Sequence, residues 1–120
     1  MTADEVGTLA ASPLIEIGAH SVTHRSLSSL PEAQQMEEMV QSRRDCERLT
    51  GVRPESFAYP FGDHSPDMPG LMAQAGFARA CSLRPDLVWT DSDPFRLPRI
   101  GALDRDGMSF ARRLRREWLP

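Results

Sequence analysis

His20 and His24 are the side chains best suited to chemistry in this 120-residue chain, which holds only one further histidine, His64. In a helical turn, residues four apart share a face, so both imidazoles can point at one divalent cation. Such an ion acts as a Lewis acid and lowers the pKa of a bound water to about 7, which supplies a hydroxide-like nucleophile at neutral pH. Two imidazoles are too few for tight zinc binding. A histidine on a half-buried face also serves readily as hydrogen-bonded structure, so the pair alone leaves both readings open.

The elements around the pair narrow the choice. Ile15 and Ile17, with Glu16 facing the other way, predict a short strand over 14–18, and the histidines follow where its carboxyl end opens into a loop. That end of a strand is where α/β proteins usually keep their sites. Pro31, the serines at 28 and 29, and Gly51 bound a helix over 31–50. Its Ala33, Met36, Met39, Val40, Cys46 and Leu49 form a stripe at helical spacing, read as core packing. The charged run from Arg43 to Arg48 is read as its solvated face.

Ser56-Phe57-Ala58-Tyr59 is the next strand, cut off by Pro60 and Gly62. A helix over 68–76 and a strand over 77–83 follow. A short strand at 88–90 is a further candidate, and one over 96–102 is placed at an edge or bend by Pro98. The last helix, 109–119, sets Phe110, Leu114 and Trp118 on one face, with Arg112, Arg113, Arg115 and Arg116 on a solvated one. This alternation argues for an α/β protein of parallel β/α units, with too few strands to close an eight-stranded barrel.

Composition sets the outer bounds. With 40% hydrophobic residues, the chain can bury one core, read as a single domain over 14–120 behind a mobile lead-in over 1–13. A net charge of −3 with mixed signs argues against nucleic acid as the partner. No apolar run reaches the roughly 20 residues of a membrane helix, and residues 1–12 lack the basic start of a signal peptide. Cys46 and Cys81 are read as free thiols.

Three stretches carry a family resemblance: Gly18-Ala19-His20-Ser21-Val22-Thr23-His24, Phe57-Ala58-Tyr59-Pro60-Phe61-Gly62, and Ala75-Gly76-Phe77. Their order and separation resemble the polysaccharide deacetylase family, also called the NodB-homology or carbohydrate esterase family 4 domain, over roughly residues 14–103. The resemblance implies a partial, distorted (β/α) barrel of the NodB, TIM-like type. It also implies metal-dependent hydrolysis of acetyl groups on a polysaccharide or oligosaccharide.

By that resemblance His20 and His24 hold a divalent metal, most often zinc, and Ser21 steadies their loop. Tyr59, Pro60, Phe61 and Gly62 wall the substrate groove and offer an amide to the oxyanion. Family members often work at the cell envelope or outside the cell; the chain itself assigns no compartment.

The sequence departs from the family in three places. Nothing preceding His20 matches the Thr-Phe-Asp-Asp motif that supplies the third ligand and the base, since Asp4, Glu5 and Glu16 lie in the wrong context. Ala58 stands where many members carry arginine, which resembles the branch reading Phe-Ala-Tyr-Pro-Tyr-Gly, some of whose members act on poly-N-acetylglucosamine. Leu97-Pro98-Arg99-Ile100 falls where a Leu-x-His motif would supply the acid.

The catalytic residues therefore stay unassigned. Arg99 is a candidate electrostatic group or a structural ion pair, and His64 a candidate proton donor or a surface histidine. Asp63 and Asp67 are read as caps of the turn and the helix after it. The expectation is a deacetylase, weak or inactive as this isolated chain. The alternatives are a non-catalytic carbohydrate-binding or assembly module of the same fold, or a homo-oligomer in which another chain supplies the missing strands.

Overall fold

The computed structural model describes residues 1–101 and 106–118, with the side chains of 117 and 118 excepted. Its centre is a β-α-β unit. Strand β1 (Ser56–Ala58) leads through a tight 3₁₀ turn (Pro60–Gly62) and helix α3 (Met68–Gln74) to strand β2 (Arg79–Cys81). The two strands pair in parallel with Phe57 opposite Ala80, both buried, and single parallel bridges flank them, Ala19 to Phe57 and Leu97 to Cys81. Four neighbouring extended segments thus run the same way, and their carboxyl ends gather on one rim.

Helix α3 forms because Met68, Leu71, Met72 and Ala75 recur at helical spacing, and all four are buried. They pack with Phe57, Tyr59 and Phe77, whose rings meet edge to face at 5.7 and 5.2 Å from the central Phe57. Helix α2 (Glu32–Thr50) closes the other side of this core with Met39, and Gly51 ends it in the left-handed conformation at φ 74°.

Several expected elements take a different form. Ala33 and Leu49 on α2 are exposed, and the helix instead turns Gln35, Met39 and Ser42 inward, with Met36, Val40 and Cys46 beside them. Arg43 leaves the solvated face. Its guanidinium lies 5.4 Å from the Phe77 ring centre and donates to the Pro54 carbonyl at 3.0 Å. The middle of the expected stripe thus meets the core, and its two ends, Ala33 and Leu49, do not.

Residues 1–13, expected to lack an element, contain helix α1 (Ala3–Ala10). Thr2 and Glu5 close a capping box at its start, and it lies against α2 without burying a residue. The strand expected over 14–18 does not form, and Leu14 is 92% exposed. The ladder there shrinks to Ala19, whose N–H donates to the Ser56 carbonyl and whose carbonyl accepts from Ala58 N–H.

The segment over 88–90 is a loop in which Trp89 N–H donates to Ser92 Oγ. That over 96–102 keeps one bridge, at Leu97, because Pro98 has no N–H to extend it; residue 102 lies outside the described residues. Helix α4 (Gly107–Trp118) starts where the Asp106 carboxylate accepts from Ser109 N–H at 2.8 Å. Phe110 and Leu114 are half-buried, whereas the Trp118 side chain and Leu119 fall outside the description. Among its arginines, Arg113 is half-buried and donates to the Gly101 carbonyl. Cys46 and Cys81 are both free thiols.

Candidate functional site

The carboxyl rim of the strands brings the two histidines together, by a route the i,i+4 argument did not foresee. Residues 20–24 are not helical. Ser21 and His24 both adopt the left-handed region, at φ 63° and 56°, and fold the segment back on itself. The His24 N–H donates to Ser21 Oγ at 3.0 Å, which closes this turn and gives Ser21 the loop-steadying contact expected of it. The two ring centres end up 4.8 Å apart with the planes at 72°. Left-handed backbone costs a non-glycine residue of order 1 kcal/mol or more and persists only where surrounding contacts hold it.

His20 Nδ1 lies 2.7 Å from the Ala58 carbonyl, on the neighbouring strand. A carbonyl can only accept, so Nδ1 donates the proton, and in the neutral imidazole Nε2 then keeps its lone pair. That tautomer is the one a metal ligand needs, and hydrogen bonding of the second nitrogen is the usual way a ligating ring is oriented.

The loop after β1 supplies the facing side. Tyr59 is 1% exposed, its hydroxyl donating to the Phe95 carbonyl at 2.8 Å, and burial pushes its pKa up. Pro60 is equally buried, so the side chains of these two expected groove residues belong to the core. Phe61 reaches outward, 64% exposed, in a left-handed conformation at φ 59°, and meets His24 edge to face at 4.8 Å. Gly62 follows at φ 68°, where a Cβ would come within 2.7 Å of Leu83 backbone and side-chain atoms, so only glycine fits.

Two carboxylates hold these loops. Glu38, on α2, accepts from the backbone N–H groups of Val22 at 2.8 Å and Thr23 at 2.9 Å, and from the Thr23 hydroxyl at 2.6 Å. Burial raises its pKa, but the bonds from Thr23 and Val22 and the charge of Arg25 together outweigh that and leave it lowered. Asp63 accepts from the hydroxyls of Ser26 and Ser28, which tie the histidine loop to the loop after β1. Those bonds lower its pKa. A carboxyl with a lowered pKa is a poor general base at neutral pH.

The other sequence candidates are placed as follows. His64 is half-buried with its ring 5.1 Å from Tyr59, and its Nδ1 is buried with no hydrogen-bond partner among the described residues, so it is not a surface histidine. Arg99 donates to the Ser82 carbonyl at 2.8 Å. It lines a cavity of about 510 Å³ with Leu83, the neighbour of Gly62. Asp67 precedes α3 but makes no capping bond with its side chain, and Asp63 bridges loops rather than capping the turn alone.

Among the described residues no group of three or more His, Cys, Asp or Glu is placed to hold a metal ion. The donor set fits a metal in part, with two imidazoles and one tautomer already fixed. Glu38 and Asp63 were missed as loop anchors. A carboxylate in mid-helix looks like any solvated one until the loop it meets is known.

Comparisons with known proteins address the family and the fold. The polysaccharide deacetylase family model matches residues 1–80, two thirds of the chain. The chain belongs to the polysaccharide deacetylase family.

Among solved structures, it is similar to the BpsB deacetylase domain from Bordetella bronchiseptica, with 24% identity and a TM-score of 0.77 over 83% of this chain and 48% of that one. The Streptococcus pyogenes deacetylase PplD, solved with acetate, gives 20% identity and a TM-score of 0.76 over 86% of this chain and 44% of that one. The PuuE allantoinase gives 26% and 0.61 over 85% and 35%. The chain spans less than half the length of each of these structures. No curated protein matches it.

Proposed function

We propose that this chain carries the histidine side of a metal-dependent deacetylase centre, on an arc of a (β/α) barrel, acting on an acetylated polysaccharide or amino-sugar polymer. The observation that supports it most is the convergence of His20 and His24, with the His20 Nδ1 proton committed to Ala58. A zinc ion, held by these two side chains, would polarise the acetyl carbonyl and activate water. Ala58 fixes the His20 ring and tautomer, and Ser21 holds the His24 backbone. Phe61 presents an apolar face beside His24, against which a sugar ring can rest.

Among the described residues the site has no free carboxylate base, because Glu38 and Asp63 are both engaged in holding loops. That observation favours a second reading, a carbohydrate-binding module that retains the groove without the chemistry. Zinc titration by calorimetry and acetate release from an acetylated chito-oligosaccharide separate the two. The expected result is weak zinc binding, lost in His20→Ala, with little or no turnover by these 120 residues. Unchanged zinc affinity in His20→Ala overturns the metal reading. Retained oligosaccharide binding in that variant supports the binding module.

A further inference from the structure

Glu38 lies outside the motifs from which the site was read, yet it accepts three hydrogen bonds from the histidine loop. Its Oε2 accepts from two successive backbone amides, Val22 and Thr23, which lie between the two histidines. Its Oε1 takes the Thr23 hydroxyl. Two adjacent N–H groups aimed at one anionic oxygen form a small anion-binding nest. Bonds to an ionised carboxylate are among the stronger ones a protein makes. On either side of this nest sit the left-handed residues Ser21 and His24, a geometry that the segment would leave without an external hold.

We infer that Glu38 is the positioning residue of the histidine loop: from the rigid helix α2 it locks residues 22–23, and so fixes the mutual orientation of the His20 and His24 rings. Among the described residues, the hydrogen bonds from residues 20–24 to α2 all end on this carboxylate, whereas Ser21 acts within the loop and Ala58 orients His20 alone. The consequence for zinc rests on the deacetylase reading above, whereas the consequence for ring geometry does not.

The test uses the full chain with Glu38→Ala, Glu38→Gln and Thr23→Val. Glutamine keeps an oxygen for the two amides and can donate its amide to the Thr23 hydroxyl, so it conserves the hold without the charge. Ring geometry is read by nuclear Overhauser contacts of His20 with His24 and of His24 with Phe61. Folding is read from the methyl signals of Met39 and Met72, and zinc affinity by calorimetry.

In Glu38→Ala the ring contacts should vanish while the core methyls stay, with zinc affinity falling roughly 10–100-fold, as for loss of other outer-shell partners. Glu38→Gln should restore the ring contacts. Persistent ring contacts in Glu38→Ala overturn the inference, as does a glutamine variant that loses them as fully as alanine. Should Glu38→Ala not fold, Thr23→Val decides by itself, because it removes one exposed hydroxyl arm. Weakened ring contacts there support the inference, and unchanged ones overturn it. If the wild type binds no zinc yet Glu38→Ala still loses the ring contacts, the metal reading fails and the positioning role stands.

Discussion

Two aromatic side chains of the Tyr-Pro-Phe-Gly turn have opposite fates, and the backbone between them decides which. Tyr59 follows strand β1 into the core, where its one polar atom finds the Phe95 carbonyl. Phe61 is turned outward by a left-handed backbone, onto the edge of His24. Tyr59→Phe should therefore cost about 1–2 kcal/mol in urea denaturation, because it leaves a carbonyl without its donor. Phe61→Ala should change stability by no more than about 0.5 kcal/mol. If the groove reading holds, it weakens oligosaccharide binding instead. Equal stability losses in the two variants would contradict this division of labour.

Among the elements, helix α2 has the widest reach: Met39 enters the core, Glu38 holds the histidine loop, and Arg43 crosses to Phe77. Arg43 also bonds the Pro54 carbonyl, just ahead of β1, so it joins the helix to the start of the sheet. Arg43→Ala should lower stability by about 1–2 kcal/mol through loss of the ring contact and the bond together. Lysine there should recover only part of it, since an ammonium lacks the planar guanidinium that lies by the ring. Chemical denaturation of the three forms checks the order.

The molecule as a whole is clasped by carboxylates at both ends of its strands. At the carboxyl rim Asp63 holds Ser26 and Ser28. At the amino ends Glu16 bonds Ser56 and is bidentate to Arg79 at 2.9 Å, beside a cavity of about 300 Å³ lined in part by Ile15, Ile17 and Val52. Hydrogen bonds from Ser26 and Ser28 lower the Asp63 pKa, and those from Ser56 and Arg79 lower that of Glu16.

A group with a depressed folded pKa stabilises the fold fully above its unfolded value, near pH 4, and that stability is lost as pH falls through the folded value. The urea midpoint should therefore be insensitive to these two groups from about pH 5 to neutrality and drop below about pH 4. Asp63→Asn should flatten part of that acid limb, and an unchanged limb would remove Asp63 from the account.

The sequence by itself determined the family, through the spacing of its histidines, its Phe-Ala-Tyr-Pro-Phe-Gly turn and the alternation of helix and strand. It also identified α2, β1, α3 and β2, because Gly51, Pro60 and the buried runs act locally and need no distant partner. It misjudged the elements whose formation depends on neighbours. Residues 14–18 have strand-forming side chains, but among the described residues of this segment only Ala19 forms a backbone bridge to β1, and the helix over 3–10 lacks a buried face for periodicity to detect. The site shows the same division. That His20 and His24 could meet was legible from their types and proximity, whereas how they meet was decided by tertiary contacts. Two left-handed residues, a carbonyl on β1 and a carboxylate on α2 set that geometry, and residues distant along the chain come within hydrogen-bonding range only once the core has closed.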